Sequence, residues 1–238
     1  MTAFAKNILW ISLIFNVLAM GIGWWAVQRL GGWDATFYRL RHKGLSGIYE
    51  NRKSLFGVLK GTHKDIIWLG DSLTEKGEWS ELFGDSRHKN RGVSGDYAAG
   101  VLARLDVILD KKPAAIFLMV GTNDILMGMK PQVVLGYVEQ IVAKIRQESP
   151  TTRVVLQSVP PINTRKWVLP PKNADLLKYN DLLQNFAQAE SLEYINLHEK
   201  LVDKNGLLDE RYTHDGIHLT GQAYLIWKET LNPVVEQL

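Results

Sequence analysis

Four short segments hold the residue types that nucleophilic chemistry on a carbonyl requires. Gly70-Asp71-Ser72-Leu73 closes an apolar run, so Ser72 is expected on the turn from a strand into a helix. There its hydroxyl would face a crevice and its amide N–H would sit at a helix amino end. Taken alone, the triplet reads more readily as a helix cap than as a nucleophile, since serine after glycine and aspartate is common at helix starts. Arg91-Gly92-Val93-Ser94-Gly95-Asp96 offers Gly95, whose backbone N–H can approach a reacting oxygen without side-chain interference, or which simply serves a turn. Gly121-Thr122-Asn123-Asp124 offers the Asn123 amide as a second donor, against the alternative of an Asx turn. Asp215-Gly216-Ile217-His218 places a carboxylate three residues before an imidazole. That spacing over a tight turn lets the carboxylate orient the ring while its far nitrogen takes a hydroxyl proton. His214 adjoins Asp215, but neighbouring residues seldom face one another, and it is read as peripheral.

Each segment is unspecific by itself, yet together they supply nucleophile, oxyanion donors, base and acid in order. In all four blocks the chain resembles the SGNH hydrolases, also called the GDSL esterase and lipase family, from about Asp65 onward. The resemblance implies a flavodoxin-like three-layer α/β/α sandwich with a five-stranded parallel sheet. It also implies that Ser72 is the nucleophile, His218 the base and Asp215 its partner. The Ser72 N–H, the Gly95 N–H and the Asn123 side chain would form the oxyanion hole, with neither cofactor nor metal. The block pattern is most similar to the platelet-activating-factor acetylhydrolase-like and the sialate or xylan acetylesterase branches, which implies short acyl groups.

The residues themselves demand a scaffold of the same kind. Short runs at Asp65–Leu69, Lys89–Val93, Ala114–Val120 and Arg153–Val159, with a weaker one at Leu192–Leu197, are expected strands. Between them lie helical stripes. One runs through Val101, Leu102, Leu105, Ile108 and Leu109; a second through Val134, Val138, Ile141, Val142 and Ile145, opened by Pro131; a third through Leu176, Leu183, Phe186 and Ala187. A last helix is expected after Thr220. Strands alternating with helices imply a parallel sheet covered on both faces, whose ligand crevice lies at the carboxyl ends of the strands.

Composition narrows the remaining classes. Lysine and arginine number 28 against 25 acidic residues and are scattered, so a nucleic-acid footprint is missing. The lack of cysteine excludes disulfides and thiolate chemistry. Ile8 to Val27 is uncharged, matches the ~20 residues that cross a bilayer, and carries Trp10, Trp24 and Trp25 at its ends. A retained single-pass anchor over residues 1–32 is expected, in preference to a signal peptide cleaved near Gly21-Ile22-Gly23. Residues 33–62 are expected to form a helical connector and residues 63–238 the catalytic domain, set on the extracytoplasmic side of a cell membrane. Arg29, Arg39, Arg41 and Lys43 pull towards the opposite topology under the positive-inside rule.

The substrate is expected to be a small ester or an acylated carbohydrate or lipid. Val159 to Lys172, rich in proline and carrying Trp167, is expected to form a lid or specificity loop, with Trp167 a substrate contact. Trp79 is a second possible pocket wall, with core as its alternative. Short-acyl or O-acetyl ester hydrolysis is the preferred activity, with lysophospholipase, lipase or thioesterase action on membrane acyl lipids as the alternative. A metal-dependent phosphoesterase built from Asp71, Asp124, His214, Asp215 and His218, or a non-catalytic membrane scaffold, are more distant readings.

Overall fold

A computed structural model describes residues 3–29, 45–166 and 172–238. The chain divides into two units, residues 1–44 and 45–238. In the first, helix α1 (Ala3–Arg29) runs 27 residues, and its described apolar side chains, from Trp10 to Trp25, are exposed. Among the described residues, no helix is long and apolar enough to cross a membrane, so the span expected over Ile8–Val27 is not recovered there.

The second unit opens with helix α2 (Leu45–Val58), inside the stretch expected as a connector. Five strands follow: β1 (Ile66–Gly70), β2 (His88–Gly92), β3 (Ala115–Met119), β4 (Arg153–Gln157) and β5 (Glu193–Ile195). They form one sheet in the order β2-β1-β3-β4-β5, parallel at every pairing, as expected. Strands β1 and β3 are buried along their whole length, which explains their unbroken apolar sequences: a central parallel strand is covered on both faces. Strand β2 has the sequence His-Lys-Asn-Arg-Gly because it is an edge, where a lysine blunts unwanted pairing.

The helices between the strands are α3 (Ser72–Glu75), α4 (Trp79–Phe83), α5 (Ala98–Ala103), α6 (Asp106–Leu109), α7 (Thr122–Leu126), α8 (Pro131–Glu148) and α9 (Asn173–Ala189), and α10 (His198–Leu201) and α11 (Gly221–Val235) follow β5. The stripe expected as one helix around Val101–Leu109 is two, α5 and α6. The break falls at Arg104 and Leu105, where the Arg104 side chain turns into the protein and is fully buried. Helix α8 begins at Pro131 as expected and buries Val134, Val138, Ile141, Val142 and Ile145. Trp79 belongs to the core: it is buried and stacks on Trp68 with ring centroids 3.9 Å apart.

Candidate active site

The chain passes from β1 outward to β2 and then back across to β3, so the connections after β1 and β3 diverge at the carboxyl edge of the sheet. Such a switch point leaves a crevice. Ser72 stands there as the first residue of α3. Asp71 caps this helix by accepting the Leu73 N–H at 2.9 Å, so the capping that Ser72 could have provided falls to its neighbour. Ser72 is thereby left for another task, with 8% of its surface still reachable.

A histidine reaches Ser72 from a distant segment. Ser72 Oγ lies 3.1 Å from His218 Nε2, and His218 Nδ1 lies 2.6 Å from Asp215 Oδ2. Asp215 Oδ1 accepts the Ile217 and His218 amides at 2.9 and 2.8 Å, which fixes the carboxylate beneath its own histidine. Desolvation pushes the Asp215 carboxyl up, but the bonds from the His218 ring and the two amides outweigh it and hold it well below the usual carboxylate range. An ionised Asp215 leaves Nδ1 as the protonated ring nitrogen and Nε2 free to accept the serine proton. His214 is exposed and takes no part.

The turn that presents this pair is braced from the loop after β4. Gly216, at φ +93°, donates to Thr213 Oγ1 at 2.8 Å, and its carbonyl accepts the Asn163 amide at 2.8 Å. A Cβ on Gly216 would stand 2.7 Å from the Asn163 carbonyl oxygen, so glycine is required for both conformation and space. Val159 to Asn163 are buried, which corrects part of the expected lid: this portion supports the Asp215–His218 turn. Trp167 lies outside the described residues, as do Pro170 and Pro171.

Gly95 and Asn123 are brought to the same edge. Gly95 has φ +75°, a left-handed conformation that disfavours any side chain. Asn123 Nδ2 donates to the Asp96 carbonyl at 2.9 Å, tying the loop after β2 to the start of α7. An amide nitrogen has two hydrogens, so this bond aims the second one.

Below the crevice lies a buried polar layer that the sequence pattern did not disclose. Arg104 donates to the Asp96 carboxylate at 2.7 Å, to the Arg91 carbonyl at 2.8 Å and to the Gly70 carbonyl at 3.0 Å. One side chain thus clamps the ends of β1 and β2 and the loop carrying Gly95. Desolvation raises the carboxyls of Asp71 and Asp124 to about 7, against the Leu73 and Ala98 amides that lower them. Asp124 accepts the Ala98 amide through both oxygens and so joins α5 to α7. Among the described residues, no group of three or more acidic or histidine side chains is placed to hold a metal ion.

The profile of the GDSL-like lipase/acylhydrolase family matches residues 67–226, from within β1 into α11. The chain belongs to this family. Among relatives of this GDSL-like protein, the platelet-activating factor acetylhydrolase IB subunit alpha2 of Gallus gallus is 28% identical over 186 residues, covering 75% of this chain and 79% of that one. The human protein of the same description is 27% identical over the same lengths. A structure from Streptococcus pneumonia, described as a platelet activating factor, superposes with a TM-score of 0.76 at 27% identity, covering 84% of this chain and 99% of that one. An acetyl-xylooligosaccharide esterase from Geobacillus shares the fold at a TM-score of 0.59 and 16% identity, covering 73% of this chain and 95% of that one. This GDSL-like acylhydrolase is a carboxylic ester hydrolase.

Proposed function

We propose that the protein is a serine esterase that removes short acyl groups, O-acetyl groups in particular, through an acyl-enzyme on Ser72. The observation that carries the reading is the continuous chain from Ser72 Oγ through both nitrogens of His218 to Asp215, at 3.1 and 2.6 Å. Ser72 Oγ attacks the ester carbonyl as its proton passes to His218 Nε2. The oxyanion that forms is met by the Ser72 and Gly95 amides and the second hydrogen of Asn123 Nδ2. His218 then returns the proton to the leaving alcohol, and water, activated by the same ring, releases the acid. The short-acyl part rests on the likeness to the platelet-activating factor acetylhydrolases.

A fluorophosphonate should label wild-type protein once, at Ser72, and leave Ser72→Ala unlabelled. Turnover of aryl esters from acetate to dodecanoate should fall sharply beyond butyrate. A flat or rising series would exclude the short-acyl reading and favour a lipase or thioesterase; labelling retained in Ser72→Ala would remove the mechanism.

Attachment to a membrane through α1, with the hydrolase outside the cytoplasm, is proposed from the exposed apolar side chains of that helix, such as Phe15, Leu18, Ile22 and Trp24. The full chain should stay with membranes in alkaline carbonate, and a chain lacking residues 1–32 should not. Release of the full chain by carbonate would end the proposal.

A further inference from the structure

Helix α2 lies before the segment that matches the family profile, yet it reaches into the machinery at the sheet edge. Phe56 buries its ring beside three guanidinium groups, those of Arg52, Arg91 and Arg104, at 4.8, 5.1 and 5.7 Å. Tyr49 Oη donates to the Gly100 carbonyl at 2.9 Å. So docked, α2 presents Arg52, whose Nη2 donates to the Gly92 carbonyl at 3.2 Å. Its Nε stands 3.2 Å from Glu75 Oε1, close as an ion pair though not aligned as a hydrogen bond.

Glu75 is the last residue of α3, the helix that begins with Ser72. Its Oε2 accepts the Ser94 amide at 2.9 Å and also the Ser94 hydroxyl. Ser94 immediately precedes Gly95. Backbone contact is equally close here: a Cβ on Gly92 would lie 2.2 Å from the Glu75 nitrogen. A single carboxylate therefore couples the helix that supplies the Ser72 amide to the loop that supplies the Gly95 amide.

We infer that Arg52 and Glu75 are positioning residues for the oxyanion hole, which makes α2 a working part of the active site. This rests on reading Ser72, Gly95 and Asn123 as that hole. Arg52 holds the Glu75 carboxylate against Ser94, and the Ser94–Gly95 segment keeps its left-handed turn so that the Gly95 N–H faces the reacting carbonyl. An exposed ion pair with no other duty contributes little, but these side chains are only 28% and 23% exposed and each also binds the backbone around the loop.

The test uses the full chain with Glu75→Ala, Glu75→Gln, Arg52→Met and the Arg52→Met/Glu75→Ala double variant. Turnover of 4-nitrophenyl acetate is read beside amide hydrogen exchange at Ser94 and Gly95. Loss of a whole oxyanion donor costs roughly 10²–10³-fold, so a donor left present but poorly aimed should cost Glu75→Ala about tenfold or more in kcat, with KM nearly unchanged. Glu75→Gln keeps an acceptor for Ser94 and should recover part of the loss. Arg52→Met should lose less than Glu75→Ala, and the double variant should be no worse than Glu75→Ala, as expected of residues acting in one chain. Exchange at Ser94 should quicken in Glu75→Ala. Unchanged exchange, or quickened exchange with kcat within twofold of wild type, overturns the inference. Wild-type protein without Ser72-dependent turnover would instead be a failure of the esterase reading, and the exchange data would still report whether the carboxylate holds the loop.

Discussion

Replacing Asp215 by asparagine should damage catalysis more than replacing it by alanine, although asparagine is the closer substitute. Asp215 Oδ1 accepts two backbone amides, from Ile217 and His218, while Oδ2 faces His218 Nδ1. An asparagine here has one oxygen, and those two donors claim it. Its NH2 group is therefore turned onto Nδ1, where it can only donate. That forces the imidazole into the tautomer with its hydrogen on Nε2, which cannot accept the proton of Ser72 Oγ at 3.1 Å. A locked wrong tautomer costs on the order of 10⁴ in kcat, or about 5.4 kcal/mol of transition-state stabilisation. Alanine imposes no tautomer. The Asp215 side chain is 45% exposed, so water can reach Nδ1 in its place, and the loss should stay near that of one general-base aid, roughly 10²-fold. Stability should follow the opposite order, because asparagine keeps both amide acceptors and alanine keeps neither. The assay is kcat on 4-nitrophenyl acetate for both variants, with urea midpoints measured in parallel. Asparagine equal to or better than alanine in kcat would mean that the carboxylate does not set the ring's tautomer.

Other perturbations reach different parts of the site. Asn123→Ala should lower kcat by roughly 10²–10³-fold on the same ester with little change in KM, since it removes a donor used only as charge develops; a twofold effect would take Asn123 out of the oxyanion hole. Arg104→Met strands the buried Asp96 carboxylate and should cost about 3–5 kcal/mol in urea unfolding, whereas a loss below 1 kcal/mol would show that the clamp is idle. The folded state holds the Asp71 and Asp124 protons up to about pH 7, while the unfolded chain releases its own near 3.9, so this stabilisation is complete below pH 4 and is lost as pH rises through 7. Asp124→Asn should therefore flatten the fall in urea midpoint between pH 5 and 8, and an unaltered slope would count against it. Asp215 works in the other direction: its contribution is present above about 3.9 and disappears only as pH falls below that value.

Ser72 and Asn123 were legible because polar residues just after buried apolar strands have few structural reasons to be there, and Asp215 and His218 by their three-residue spacing over a turn. The sheet was legible for a related reason, since the short apolar runs that contain Ile66–Leu69 and Ala115–Met119 suit strands covered on both faces. Arg104, Glu75 and Arg52 were not, because a charged residue in a helix defaults to solvent and only distant strand ends turn it inward. The same blindness hid the break between α5 and α6: Leu102, Leu105 and Ile108 keep a helical period across it, while the break follows the buried Arg104 side chain and its partners at Gly70, Arg91 and Asp96. Asp124 entered the sequence reading only through the alternative of an Asx turn and a distant metal set, and it is a buried strut between two helices. The loop after β4 suggested a lid by its prolines, yet Asn163 holds the Asp215–His218 turn in place.

The distance along the chain between Ser72 and His218, 146 residues, also bears on how the protein is made. On the ribosome Ser72 is synthesised long before His218, and the Tyr224 hydroxyl that donates to the Leu73 carbonyl comes later still. Until that last helix emerges and closes on the sheet, the serine is an ordinary alcohol. On the proposed mechanism, a chain of this design gains reactivity towards esters only on completion of its fold.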